Sequence, residues 1–393
     1  MEKPLTSGVM TSLLVKVAAR CNIDCSYCYW FRDPSVYAKP KVMSPEITAQ
    51  LLRRVEEHIT RYVLTSFSVI LHGGEPMLWG IPRFRDFAED CLAITGRTGC
   101  AIPIALTTNG LLINDDWLDL FDAYDMSVTV SIDGPAHIHD QHRHTFKGGG
   151  THAQAEAGIR RLQSRDIAHG ALAVANLAHD PEEFVSYFTE LGEAGFDVLF
   201  PDATWEDGTK GDAAAFYCRL FDLWMAANRE RHVLSIRTIE EMVVGLLGGQ
   251  SNSQGIGYGP IELCTVLTDG GMEPLDVLRI AGSASTETAL NIFDNALEDI
   301  KTEPRWQAVR DASVHLCQTC RDCPFVQACG GGYLPHRYSK INGYDNPSVY
   351  CRDLFAIYSH IQSELGRHVV LRKAGGDQVN VHQAIGMDEA RVA

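Results

Sequence analysis

Residues 12–28 read SLLVKVAARCNIDCSYC. The apolar run 12–18 has the length of one buried strand and stops at a loop holding three cysteines. Cys21, Cys25 and Cys28 are spaced C-x3-C-x2-C. Three thiolates suit a soft metal or an iron–sulfur cluster. Structural zinc takes four ligands, usually as two pairs. Three ligands leave one iron of a 4Fe–4S cube open to a small molecule. The bland alternative is three buried free thiols.

The strand-then-loop pattern recurs downstream. SFSVILHGGEP (66–76), PIALTTNG (103–110), SVTVSIDG (127–134) and ALAVANL (171–177) each run from apolar residues into a polar or glycine turn. Between them lie helical segments: 44–63, which opens Ser-Pro-Glu as a capped helix does, then 81–94, 112–123 and 152–163. Strands alternating with helices imply βαβ units and a parallel sheet, an α/β fold. Chemistry in such folds gathers at the C-terminal ends of the strands, where these loops fall. Residues 211–248 read as helical, with Phe216, Leu220, Leu223 and Trp224 on one face. After the break GQSNSQGIGYGP (249–260), residues 260–355 are turn-rich and hold six of the 12 cysteines.

Composition removes several classes. The chain has 393 residues, 45% hydrophobic and 21% charged, which excludes whole-chain disorder. At about 150 residues per domain it holds two to three domains. No apolar run reaches about 18 residues, so no membrane span is expected, and the N-terminus has no signal-peptide layout. A net charge of −16 disfavours nucleic acid and anionic membrane as partners. Twelve cysteines without a secretion signal point to metal in a reducing compartment, the cytoplasm. Cys91, Cys100 and Cys218 lack metal spacing and read as core residues.

Four motifs stand in order, each at a strand end: the cysteine loop, Gly73-Gly74-Glu75-Pro76, Thr107-Thr108-Asn109-Gly110 and Ser131-Ile132-Asp133-Gly134. Together they resemble the radical SAM superfamily. The resemblance implies a 4Fe–4S cluster on Cys21, Cys25 and Cys28 that binds S-adenosylmethionine and yields a 5′-deoxyadenosyl radical. It implies cofactor contacts from Tyr27, Gly73, Gly74, Glu75, Thr108, Asn109, Ser131 and Asp133. The glycines allow close backbone approach, and Glu75 accepts from the methionine ammonium. Asp140 and Arg143 (DQHR) resemble a D-x-x-R motif whose Arg reaches the methionine carboxylate. The histidines of HIHDQHRH, His137, His139, His142 and His144, are expected to serve loop hydrogen bonds or substrate contacts rather than a metal.

Cys320, Cys323, Cys329 and Cys351 resemble the second auxiliary 4Fe–4S site of the SPASM domain. Cys317 is an alternative ligand or a free neighbour, and a zinc ribbon is the other reading of the spacing. The other SPASM site is expected to be missing: Cys264 holds its early position, but Leu275 and Tyr333 stand where cysteines belong. Asp276 stays where some relatives carry a catalytic Asp; the alternative is a turn cap. The expected architecture is a TIM-like partial (β/α)6 barrel (12–210) after a short lead (1–11), then a helical bridge (211–259), a SPASM-type domain (260–366) and a partly mobile tail (367–393).

The block from Cys329 to Cys351, CGGGYLPHRYSKINGYDNPSVYC, resembles SPASM maturases that form three-residue cyclophanes in ribosomally made peptides. That resemblance implies a precursor peptide substrate, an external one-electron reductant, and Asp276 as proton acceptor. Only about 11 residues precede the first strand, so leader recognition is expected at the barrel rim, the SPASM-type domain or a separate protein. Rival readings are another radical peptide or protein modification, and a non-catalytic iron–sulfur carrier.

Overall fold

The computed structural model describes residues 8–229, 234–251, 253, 255–282 and 285–374. The expected tail lies outside the described residues from 375 onward, as does the lead over 1–7. Strands run β1 (Ser12–Ala18), β2 (Asp24–Cys25), β3 (Ser68–Gly73), β4 (Ile104–Thr108), β5 (Ser127–Ser131), β6 (Arg143–His144), β7 (His169–Val174), β8 (Gly195–Leu199), β9 (Ser235–Ile236), β10 (Thr265–Val266) and β11 (Met272–Glu273). Helices run α1 (Pro45–Tyr62), α2 (Ile81–Thr98), α3 (Asp115–Ala123), α4 (Ala136–His139), α5 (His152–Ser164), α6 (Pro181–Leu191), α7 (Ala213–Arg229), α8 (Arg237–Leu246), α9 (Pro304–Val314), α10 (Gln318–Arg321), α11 (Val326–Cys329) and α12 (Cys351–Ala374). The chain divides into two compact units.

The first unit comprises Met1–Ile132, His139–Gly170 and Pro260–Asp311. Its sheet is parallel from β10 through β1, β3 and β4 to β5, with β11 antiparallel on β10. β1 is buried on both faces from Leu13 to Ala18, which is why it reads as a continuous apolar run rather than an alternating one. Register slips between Lys16, opposite His72, and Ala18, opposite Gly73. This irregularity re-aims the strand end toward the cysteine loop. α1 begins where the sequence says. Ser44 accepts the Ile47 N–H at 3.3 Å, Pro45 fills the first turn, and Leu51, Leu52, Val55 and Ile59 are buried. Truncating Leu51 to Ala would cost about 2–5 kcal/mol.

The second unit comprises Asp133–Ile138, Ala171–Gly259 and Ala312–Ala393. Here β7, β8 and β9 pair in parallel, with Ala171 opposite Phe196 and Gly195 opposite Ser235. The expected single helical stretch 211–248 is two helices, α7 and α8, separated by β9. The reason is pairing: Ser235 and Ile236 complete an edge of the sheet, an attraction that helical periodicity does not reveal. Phe216, Leu220 and Trp224 are buried as expected, while Leu223 is half-buried. Tyr217 stacks on Phe200 at 3.9 Å between ring centres and donates its hydroxyl to the Val198 carbonyl at 3.0 Å.

Candidate active site

The first unit brings the cysteine loop against three strand ends. The Gly74 N–H donates to the Ala18 carbonyl at 2.8 Å, and the Glu75 N–H to the Arg20 carbonyl at 2.9 Å. A β-carbon on Gly73 would stand 2.1 Å from the Ala18 carbonyl oxygen, and one on Gly74 2.4 Å from that of Arg20. The two glycines are therefore required by the protein's own backbone, besides any cofactor. Arg20 pins the loop from the other side, donating to the carbonyls of Ala19, Val36 and Tyr37 at 3.0, 3.0 and 2.7 Å. Cys25 lies on β2, opposite Arg143 of β6. The Cys28 N–H closes a turn onto the Cys25 carbonyl at 3.1 Å.

Glu75 is buried and tied to the next strand loop. One oxygen accepts the Met77 N–H at 3.0 Å and the Thr108 hydroxyl at 2.8 Å; the other accepts the Asn109 N–H at 2.9 Å. Burial pushes its carboxyl up to about 7 against the pull of those donors. One lone-pair direction remains on the second oxygen for a ligand ammonium. Asn109 turns its amide to Asn22 at 2.7 Å, beside the Cys21 sulfur at 3.8 Å. Arg143 lies over the Tyr27 ring, 5.4 Å from its centre. Ser131 is half-buried at the end of β5. Asp140 accepts the Thr151 and His152 N–H groups at 2.8 and 3.0 Å. Asp133, in the second unit, accepts the Val174 N–H at 3.0 Å.

The thiols fit an iron–sulfur occupant. Burial pushes the Cys21 thiol up to about 12, and Glu75, Cys25 and Cys28 push the same way. Burial also raises Cys28, opposed by Lys16 and Arg143. A multivalent cation among the sulfurs reverses this balance.

Asp276 sits in a buried charged group on the same unit. It accepts the Tyr29 hydroxyl at 2.6 Å and forms an ion pair with Lys16. Lys16 also donates to the Tyr29 oxygen at 2.9 Å and to His72 Nδ1 at 3.2 Å. Burial would raise the Asp276 carboxyl, but Lys16, His72 and Tyr29 together hold it below its usual value. Burial pushes His72 down to about 4, so its ring is neutral and can accept from Lys16. Lys16 and His72 were not expected from sequence. The available signal was a lysine inside a strand buried on both faces.

The second unit gathers the other cysteines. The N–H groups of Cys320 and Cys323 turn back onto the carbonyls of Cys317 and Cys320 at 3.1 and 3.2 Å. The sulfurs of Cys317 and Cys320 are 3.5 Å apart. Burial pushes Cys329 up to about 12, with Cys351 and Cys323 adding to the rise. Cys351 in turn is raised by burial and by Cys323 and Cys317. Each of the five thiols thus lies in the field of at least one other. Gly330, Gly331 and Gly332 all take positive φ, a conformation suited to glycine, to turn the chain away after Cys329. Cys264, in the first unit, is fully buried and its thiol is raised by burial and then by Glu273. Cys91 and Cys100 are core residues as expected; Cys218 is half-buried on α7.

Three of the four HIHDQHRH histidines have local roles. His139 bonds Thr151 at 3.0 Å, His142 bonds Ser26 at 2.9 Å, and His144 pairs with Asp24 across β6 and β2. His137 differs: in the second unit it meets Glu183 at 2.7 Å, with His179 3.4 Å from the same carboxylate. This group lies at the N-terminal turn of α6, where the helix dipole already favours the carboxylate.

Residues 15–199 match the model of the radical SAM superfamily. An uncharacterized protein of Synechocystis sp., sll1766, is 31% identical over 364 residues, 88% of this chain and 89% of the relative. A serine-type anaerobic sulfatase-maturating enzyme of Bacteroides thetaiotaomicron is 24% identical over 380 residues, 88% of this chain and 87% of the relative. Native anSMEcpe with bound AdoMet and the Cp18Cys peptide shares the fold at a TM-score of 0.79, with 23% identity over 90% of this chain and 97% of that one. Streptococcus suis SuiB bound to the precursor peptide SuiA does so at 0.61, with 15% identity over 86% and 75%. The chain belongs to the radical SAM superfamily, enzymes that use S-adenosylmethionine on a 4Fe–4S cluster. No helix among the described residues is long and apolar enough to cross a membrane.

Proposed function

We propose that this enzyme modifies a ribosomally made precursor peptide, joining an aromatic ring carbon to the β-carbon of a residue two positions later with loss of two hydrogens. The observation that carries the reading is Asp276, buried and held ionised by Lys16 and Tyr29. An ionised carboxylate of this kind can take a proton from a substrate that reaches it.

In this reading Cys21, Cys25 and Cys28 hold one cluster, and Cys320, Cys323, Cys329 and Cys351 hold a second. With both in place and S-adenosylmethionine bound, they supply the radical that removes one hydrogen atom from the peptide and the sink for the electron that follows. The chain's own residues do the rest. Glu75 offers its remaining lone pair to the methionine ammonium, braced by Thr108 and Asn109. Arg143, over Tyr27, takes the methionine carboxylate; the resemblance assigns Ser131 and Asp133 to the ribose or the sulfonium side. Asp276 accepts the ring proton as the substituted ring gives up one electron and regains aromaticity. Hydrogen atom, proton and electron together make up the two hydrogens lost. Leader recognition falls to the barrel rim, the SPASM-type domain or a separate protein, and an external reductant supplies the first electron.

The test is co-expression with short open reading frames encoded beside this one, followed by accurate peptide mass. A loss of two hydrogens, abolished by Cys21→Ala and resisting fragmentation between the linked residues, supports the crosslink. Oxidation of a side-chain alcohol to an aldehyde, one form of the residue-oxidation reading, gives the same mass but reacts with a hydrazide probe. That reactivity would replace the crosslink with residue oxidation. An unchanged mass with 5′-deoxyadenosine still formed would point to epimerisation.

A further inference from the structure

Arg337 lies in the second unit, in the turn Leu334–Arg337, with its side chain 1% exposed. Its guanidinium joins the three segments that deliver cysteines. Nη1 donates to the Ala312 carbonyl at 2.7 Å, five residues before Cys317. Nη2 donates to Tyr344 at 2.9 Å and Nε to Asn346 at 3.1 Å, on the loop leading into Cys351. Nη1 also stands 3.5 Å from where a β-carbon on Gly331 would lie, two residues past Cys329.

A buried guanidinium without a counter-charge is costly. Among the described residues no carboxylate forms an ion pair with Arg337. The acidic groups whose fields reach it are Cys320, Cys317, Asp345 and Cys329. Asp345 is exposed to solvent, so its field is screened. Once the thiols bind iron as thiolates, they are the buried counter-charge of this cation.

We propose that Arg337 is a positioning residue that sets the reduction potential of the iron–sulfur cluster on the second thiol set. The inference rests on the proposed function for that cluster. Reduction adds one negative charge to a thiolate-ligated cube. A fixed, buried cation beside the sulfurs stabilises that added charge more than it stabilises the oxidised form, and surrounding charge is a known lever on such potentials. Arg337 thereby makes the cluster a better acceptor for the electron the substrate must shed. The three carbonyls hold the charge in place, so the field is built into the fold.

The test is a redox titration of the cluster-loaded, full-length protein, followed by electron paramagnetic resonance. A Cys21→Ala background leaves the second cluster as the signal. At the poise where the native second cluster is half reduced, Arg337→Gln should lower the reduced-to-oxidised ratio about tenfold, which is about 59 mV for one electron. Arg337→Lys, which keeps the charge, should stay within about twofold of the native ratio. A native ratio in Arg337→Gln at full iron content overturns the proposal. So does an Arg337→Lys ratio that falls as far, because lost hydrogen bonds would then explain the shift. If Arg337→Gln does not load iron, Arg337→Met decides: it also removes the charge and should lower the ratio about tenfold, and a native ratio overturns the proposal. Failure of the underlying reading looks different. The Cys21→Ala protein would then carry no cluster to titrate.

Discussion

Tyr29 donates its hydroxyl to Asp276 at 2.6 Å, although the two are 247 residues apart in sequence. Tyr29 follows Cys28 directly, so the candidate proton acceptor is anchored to the cluster loop itself. Asp276→Asn keeps the shape and removes the charge. Product formation should fall about 10²–10⁴-fold, the usual worth of a placed acid or base. 5′-Deoxyadenosine should still form, because hydrogen abstraction precedes the proton transfer. The check is the ratio of 5′-deoxyadenosine to modified peptide. Loss of both in step would place Asp276 outside the proton step.

The close approach of Gly73 to the Ala18 carbonyl makes a steric prediction. Gly73→Ala should prevent the cysteine loop from seating and reduce bound iron after reconstitution. Gly96→Ala is the contrast: nothing lies within 4 Å of its β-carbon position on α2. That change should leave iron content alone and raise stability by about 0.5–1 kcal/mol. Iron analysis and thermal melts read both.

The second thiol set holds five sulfurs where a cube needs four. Cys320→Ala should lower iron content by one cluster. Cys317→Ala should leave it unchanged, because the proposed ligands are Cys320, Cys323, Cys329 and Cys351. Iron and sulfide analysis of a Cys21→Ala background isolates this set. Equal losses in both variants would make Cys317 a ligand.

His336 is buried among the rings of Tyr333, Tyr350 and Phe200, and burial pushes it down to about 3. Its ordinary value is 6.5. Between those values the unfolded chain binds a proton that the native one refuses, so this residue lowers stability as pH falls below about 6.5. At pH 5 the loss should be about 2 kcal/mol. His336→Phe should remove that dependence. Urea midpoints of cluster-loaded protein at pH 7 and pH 5 measure it.

Much of the fold is legible in local pattern. β1 spans the apolar run 12–18, and Ser44-Pro45-Glu46 opens α1, because both are decided by neighbours in sequence. The break between α7 and α8 is not legible, since Ser235 and Ile236 form a strand only beside β8. The thiol sets are legible because ligand spacing is itself local. The surroundings of Asp276 are not. Lys16 reads as an interruption in an apolar strand, and its partners come from three distant segments. Nor does the sequence show that Gly73 and Gly74 are demanded by protein backbone, or that His137 leaves its neighbours for His179 and Glu183.

The amides of Gly74 and Glu75 close on the carbonyls of Ala18 and Arg20, so the cysteine loop is templated by a strand more than 50 residues away. This bears on the order of maturation. A zinc finger is gathered by its metal. Here protein backbone also holds the loop, so β3 must dock for the loop to take this path. Excess iron alone should then not rescue a chain whose β3 is displaced.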